Sequence, residues 1–528
     1  MKRISRRNAI KGLGVTGAVG LAGCVSDISD LTGGSTEEES PLPGPEEWGE
    51  RLNEHAEQAD IDWRQFEGTE LKFGMGLHKY SIVTQEVLPA FEELTGISVE
   101  YDIFPEDEYW LEARDDLNPG GEGEYDGVMA GLWQVAELHN PDDQDEPVVH
   151  DLNKYINDPD LTDQDWLAMD DFLDQTIELM TFPNNRDGEQ GDLVGFPNGV
   201  EAYGAVACDN ETFETIDELA DDPGDEIETF DDLENAARII SESDQTEREG
   251  ITSRTSTTTL SSANWATMFR THGAEWIDRS VLAEDEPREA RVASEEGIRS
   301  LERFGTMMRD YGPEDPGQND WYRANDALSV GETAMIYTTP STSGVISEEQ
   351  FQNTTWIPPL PGPDGEDPTV ATWVWSTGIS QRSDNPEAAW LFIQWANSRL
   401  GNYMLSTRQW EGHAPRAGTA RLNFVEDMIR DDGRSDIVGM PEEVPPWEQI
   451  GMSESWITAH REGMNNVPSN PPPVPVDTPQ NMPIMTEAAR AMNEVVRGVH
   501  DAETALTGVE EQITEYASQI PDEYLVNR

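Results

Sequence analysis

Hydrophobic and polar positions alternate in two different rhythms from residue 71 onward. Leu71-Lys72-Phe73-Gly74-Met75 reads as a short strand. Between Val83 and Leu94 the apolar residues Val87, Leu88, Phe91 and Leu94 fall at helical spacing. Ile97-Ser98-Val99-Glu100-Tyr101 returns to the alternation of a strand, and Tyr125-Asp126-Gly127-Val128-Met129-Ala130 is another. Strand, helix and strand in that order predict a βαβ unit and a largely parallel sheet. Later helices are announced by their starts. Thr229-Phe230-Asp231-Asp232 precedes Leu233 to Ile240, and Asn385-Pro386-Glu387 precedes Ala388 to Ala396. A further helix is expected at 46–66. The remaining stretch of about 460 residues is too long for one core and suggests two lobes. No internal repeat is visible. From roughly 440 to 485 the periodicity gives way to prolines, centred on Pro468-Ser469-Asn470-Pro471-Pro472-Pro473 and followed by Pro475, Pro479 and Pro483. That region reads as a loop crossing the surface.

The first 24 residues obey neither rhythm. Gly12, Gly14 and Gly17 have the G-x-G-x-x-G spacing of a dinucleotide loop, but Lys2, Arg3, Arg6, Arg7 and Lys11 stand where a buried strand should precede it. Basic residues, a short apolar stretch and a small-residue end instead make Met1 to Gly23 an export signal, too short in its apolar part to span a membrane. Ser5-Arg6-Arg7-Asn8-Ala9-Ile10-Lys11 resembles the twin-arginine signal, and Leu21-Ala22-Gly23-Cys24 resembles a lipobox whose Cys24 becomes the lipidated N-terminus. From Cys24 to about Pro45 the sequence is rich in Ser, Thr, Glu and Pro, the composition of a tether holding a domain off the membrane.

Charge changes the picture of the destination. The chain carries 34 Lys plus Arg against 106 Asp plus Glu, a formal net charge of −72. Loss of the signal, which contains no acid, makes the balance more negative and leaves Lys72, Lys79 and Lys154 as the lysines. Such a chain repels itself at low ionic strength, while at molar salt the Debye length falls to about 3 Å. The balance resembles proteins of extreme halophiles, and the 16 Trp, 14 Phe and 12 Tyr supply a core that a disordered acidic chain would lack. No basic patch exists to neutralise phosphates, so nucleic acid is excluded as a partner. With Cys24 claimed by the lipobox and Cys208 in the apolar run Ala205-Val206-Ala207-Cys208, neither a disulfide framework nor a Cys-based metal site is expected.

Enzyme signatures are missing. There is no G-x-S-x-G or H-E-x-x-H, and the eight histidines form no ligand-spaced pair. Asp142-Asp143-Gln144-Asp145-Glu146 lacks the glycine and closing glutamate of an EF-hand loop. No metal, cofactor or catalytic residue is assigned. Aromatic residues say more. Trp133 follows Met129-Ala130-Gly131-Leu132, Tyr203 ends Phe196-Pro197-Asn198-Gly199-Val200-Glu201-Ala202-Tyr203, and Trp373 and Trp375 share one face of a strand. Core packing accounts for any one such ring. Flat rings beside polar groups also suit the C–H face and hydroxyls of a sugar.

Four segments in order resemble the extracellular solute-binding proteins of ABC importers, sugar-binding branch. They are Leu88 to Ile97, Gly191 to Pro197 with Ala202-Tyr203-Gly204, Ala327 to Met335, and Asn385 to Trp390 with Phe392 to Ala396. Gly250-Ile251-Thr252-Ser253-Arg254, Trp265 with Gly273-Ala274-Glu275-Trp276, and Trp373-Val374-Trp375 are most similar to the polyol and sugar binders, while the 254–262 loop and the proline-rich region depart from them. The resemblance implies an α/β, two-lobe periplasmic-binding-protein fold of type II, maltose-binding-protein-like, with a hinge between lobes. It implies a signal at 1–23, a tether and linker helix at 24–66, one lobe from 67–200 plus 335–378, and the other from 201–334 plus 379–528. It places His78, Tyr80, Trp133, Glu201, Tyr203, Arg254, Trp265, Trp373, Trp375 and Arg416 at the cleft. The expected partners are a sugar or polyol and the ABC importer permease subunits, with the membrane reached through Cys24 and the receptor itself a monomer on the extracellular face of the cell membrane. A sugar of roughly 20 heavy atoms at about 0.3–0.4 kcal/mol per atom would bind with a Kd on the order of 1–40 μM. A secreted carbohydrate-active hydrolase is the alternative function, and a sugar phosphate or a peptide the alternative ligand. Asn210 and Asn353 head N-x-T sequons, which fit any exported protein.

Overall fold

Two sheets organise the chain. The structure, a computed structural model, describes residues 44–118, 120–139, 147–182, 191–278, 288–407, 418–421, 453–468, 474–475 and 480–520. The strands are β1 (Glu70–Gly76), β2 (Ser98–Phe104), β3 (Gly127–Gly131), β4 (Thr181–Phe182), β5 (Asp192–Leu193) and β6 (Phe196–Ala202) in the first part of the chain. They continue with β7 (Ala205–Asp209), β8 (Glu249–Thr252), β9 (Thr333–Thr338), β10 (Thr354–Ile357) and β11 (Thr372–Ile379). The first sheet has the order β2-β1-β3-β11-β6, and the second β10-β7-β9-β8. In the first, β1 runs parallel to β2 and β3, and β11 runs antiparallel to β3 and β6. In the second, β7 is antiparallel to β9 and β10, and β8 is parallel to β9. Strands β3, β6, β7, β9 and β11 are buried along their whole length, as expected where helices cover both faces.

Each lobe has its own aromatic centre. In the first, Phe392 of the helix Pro386–Ala396 meets Phe73 of β1 and Phe91 of the helix Lys79–Thr95 at ring distances of 5.1 and 5.2 Å. In the second, Phe230, Phe304 and Tyr337 pack together behind β9. Both lobes lie within one compact unit, Pro41–Arg528. The expected α/β two-lobe fold is present, and the first βαβ unit and the helices after Thr229 and Asn385 lie where the periodicity puts them. Cys208 is buried in β7.

The sheets redraw the expected boundaries. β9 and β10 belong to the second sheet, while the helix Pro386–Ala396 packs on the first, so the return crossing lies between Ile357 and Thr372. The apolar face of that helix decides its lobe, through ring contacts that linear order does not reveal. The linker helix is also part of a lobe. Pro45–Ala56 turns Trp48, Leu52, His55 and Ala56 inward, Asn53 Nδ2 donates to Ala90 O at 2.7 Å, and the Trp166 indole donates to His55 O at 2.9 Å. Inside the expected 440–485 loop stands a helix, Glu454–Asn465, capped by Ser453 and burying Trp456, Ile457, His460 and Met464 on one face. The prolines on its far side masked that periodicity. Arg6, Arg7, Cys24 and the acidic cluster at 142–146 lie outside the described residues. No helix among the described residues is long and apolar enough to cross a membrane.

Candidate functional site

The carboxyl ends of β1, β3 and β6 and the start of β11 share one edge of the first sheet, because β11 runs antiparallel to its neighbours. Open α/β sheets bind ligands at this edge. His78, just beyond β1, caps the helix Lys79–Thr95, with Nδ1 accepting from the Tyr80 N–H at 3.5 Å. That leaves Nε2 as the protonated nitrogen, and it donates to Glu201 Oε1 at 3.1 Å. Trp375 Nε1 donates to the same oxygen at 3.2 Å. Glu201 pairs with Trp373 across the β6–β11 ladder, which places the carboxylate beside the indoles.

From there the rings form a continuous wall. Trp375 lies 4.8 Å from His78 and 5.2 Å from Trp373, and Trp373 lies 5.7 Å from Trp133, at the first turn of the helix Leu132–His139. His78 stacks on Tyr80 at 4.7 Å, and the Tyr80 hydroxyl donates to Gly418 O at 2.6 Å. Trp133 Nε1 and Trp373 Nε1 are buried with no hydrogen-bond partner among the described residues. A buried donor without an acceptor costs about 1–3 kcal/mol, and Trp48 Nε1 on the helix Pro45–Ala56 and Trp356 Nε1 on β10 are in the same condition.

Burial and neighbouring charges shift both groups of the His78–Glu201 pair. Burial lowers the His78 pKa, against the opposing pull of Glu201, which favours the neutral ring. Burial alone would raise Glu201, but the His78 hydrogen bond, the Lys79 charge and the Trp375 N–H outweigh it and hold the carboxyl below its usual range. The edge therefore offers an acceptor-only carboxylate and donor-only indoles. The second lobe approaches the same edge, where Lys79 Nζ donates to Ser341 O at 2.7 Å and Asn481 Nδ2 donates to Trp133 O at 3.1 Å.

Residues 77–399, more than half of the chain, match the family model described as bacterial extracellular solute-binding protein. The chain belongs to that family. This solute-binding protein is 26% identical over 415 residues to the erythritol/L-threitol-binding protein of Mycolicibacterium smegmatis (strain ATCC 700084 / mc(2)155), covering 75% of this chain and 78% of the relative. Its fold resembles the ABC transporter solute-binding protein of Agrobacterium radiobacter K84 in complex with ribitol, with TM-score 0.64 and 16% identity over 85% of this chain and 99% of that one. It likewise resembles the solute-binding protein of Agrobacterium vitis S4 with bound D-mannitol, with TM-score 0.63 and 18% identity over 86% and 100% of the two chains.

Of the expected cleft residues in this solute-binding protein, His78, Tyr80, Trp133, Glu201, Trp373 and Trp375 come together. Tyr203 lies on the crossing from β6 to β7, with its N–H on Ala371 O at 2.9 Å. Arg254 sits beyond β8 with its guanidinium 5.8 Å from the Trp321 ring. Trp265 is not part of the wall. It is fully buried between Phe269 and Trp276 inside the second lobe, its indole donating to Ser300 Oγ at 3.3 Å. The helical face of Ala263–Thr271 turns it into that core. Arg416 lies outside the described residues. Tyr109 and Gln134 were not foreseen. Tyr109 packs on Trp375 at 5.8 Å and donates to Gln134 Oε1 at 2.6 Å, and that oxygen also accepts the Gly131 N–H. Gly131 itself is required, because a Cβ there would enter the Trp373 ring.

Proposed function

We propose that this protein is an extracellular receptor that captures a neutral sugar or polyol between its lobes and delivers it to the permease of an ABC importer. The observation that carries the reading is the pairing of two buried, unpartnered indole N–H groups with an acceptor-only carboxylate along one aromatic wall. Each hydroxyl of a polyol both donates and accepts, so a single ligand meets the Trp donors and the Glu201 acceptor while the rings cover its C–H face. The erythritol/L-threitol-binding relative and the ribitol and D-mannitol complexes of the fold neighbours support the same ligand class. The lobes close over the ligand by hinge bending, and the ligand shifts the balance by binding the closed form better. The twin-arginine and lipobox residues support export and a lipid anchor at Cys24, and the lysine-poor acidic composition supports a salt-rich setting.

A thermal-shift screen of polyols, sugars, sugar phosphates and peptides in molar salt tests the reading. A ligand present at 100 times its Kd stabilises the folded state by about 2.7 kcal/mol. Stabilisation by erythritol, ribitol, D-mannitol or a related neutral compound without turnover is the expected result. Stabilisation by sugar phosphates or peptides alone, or hydrolysis of an oligosaccharide, would reject it.

A further inference from the structure

Tyr203 and Ala371 stand on the two described segments that cross between the sheets, immediately outside the last β6–β11 pair, Ala202 with Thr372. One side chain of the second lobe holds both. The Thr267 hydroxyl, buried on the helix Ala263–Thr271, donates to Tyr203 O at 3.2 Å and accepts the Ala371 N–H at 3.0 Å. One turn on, Thr271 Oγ1 accepts the Thr369 N–H at 3.0 Å. Gly204 donates to Thr338 O at 2.8 Å, which ties the outgoing strand to β9 at once. Gly204 has φ +100°, and a Cβ there would stand 2.6 Å from Thr267 Cγ2, so only glycine lets the strand pass this close.

We propose that Thr267 is the pivot of lobe closure. Its hydroxyl clamps both crossing strands to the second lobe and confines bending to a single step on each, 202–203 and 371–372. A short hinge has few conformations to lose on closing, so the clamp strengthens ligand capture without touching the ligand. This rests on the reading that capture is coupled to lobe closure.

The test is a distance distribution between spin labels on the full exported protein, at Leu111→Cys in the first lobe and Val330→Cys in the second. Both positions are exposed, and the native Cys208 is buried. Thr267→Val and Thr267→Ala remove the hydroxyl, and Thr267→Ser keeps it. Both hydroxyl-free variants are expected to broaden the ligand-free distribution and to weaken erythritol or ribitol binding about fivefold, the scale of one or two lost hydrogen bonds. Thr267→Ser is expected to behave as the wild type. Wild-type widths in both hydroxyl-free variants, or equal broadening in Thr267→Ser, would overturn the assignment. A wild type that binds no polyol at all would defeat the ligand reading, while the ligand-free widths would still decide the pivot.

Discussion

At position 373 the indole ring and its N–H can be tested separately. The ring is packed between Trp133 and Trp375 and is 1% exposed, so Trp373→Ala removes a core side chain and is expected to cost about 3–5 kcal/mol of stability. Trp373→Phe keeps an aromatic ring and deletes the unpartnered donor together with part of the indole's bulk. Calorimetric titration of that variant with erythritol or ribitol is expected to show binding weakened roughly three- to tenfold, the worth of one hydrogen bond. Unchanged affinity would remove Trp373 from the ligand contacts. Glu201 differs in kind, because its Oε1 is already held by His78 and Trp375. The His78 ring keeps the carboxylate in place through its Nε2–H, an assignment that follows from Nδ1 accepting at the helix start.

At the scale of elements, local signals and tertiary contacts carry different loads. Helix Phe230–Glu242 begins with a capping box in which the Thr229 hydroxyl accepts the Asp232 N–H and the Asp232 carboxylate accepts the Thr229 N–H. Thr229 is exposed, at the start of a helix that packs on β8 of the second sheet, whereas the aromatic wall stands on the first. Thr229→Ala should therefore cost about 1 kcal/mol and lower Tm by roughly 2 °C with ligand affinity unchanged, as thermal melts and titration will show. The helix Pro45–Ala56 makes the opposite case, since no capping side chain begins it and its placement comes from Trp48 against Tyr403 and Asn53 against Ala90 and Trp395.

For the whole molecule, acid is the sensitive direction. Burial holds His55, His272 and His460 at about 4, against 6.5 for the free side chain. Between pH 6.5 and 4 the unfolded chain takes up protons at these sites and the folded chain does not. Stability is thus full above about 6.5 and falls with decreasing pH, by about 1.4 kcal/mol per pH unit for each such histidine. Urea unfolding at constant molar salt is expected to show this decline from pH 7 to 4.5, and His460→Gln to flatten part of it. A stability that stays level over that range would mean that the three rings are protonated in place.

Much of the architecture was already written along the chain. The alternation at Leu71–Met75, the helical spacing from Val87 to Leu94 and the Thr229 and Asn385 starts are local patterns, fixed by backbone geometry and one buried face. The paired faces of Trp373 and Trp375 were legible for the same reason, since residues two apart on a strand point the same way. Trp265 had the same family resemblance but packs with Phe269 and Trp276 rather than with the wall, because its neighbours are set by what packs against its helix. Tyr109, Gln134 and the Thr267 bridge between Tyr203 and Ala371 carried no sequence signal at all. They act across long separations along the chain, and only closure of the sheets brings their partners within hydrogen-bond reach. The sequence by itself determined the charge, the first strands and the helices with their own starts, all of which can be read from residues and their neighbours along the chain. Only the tertiary structure decided which aromatics form the wall, which indole N–H groups lack a partner among the described residues and where the chain crosses between the sheets, because those depend on residues that meet in space alone.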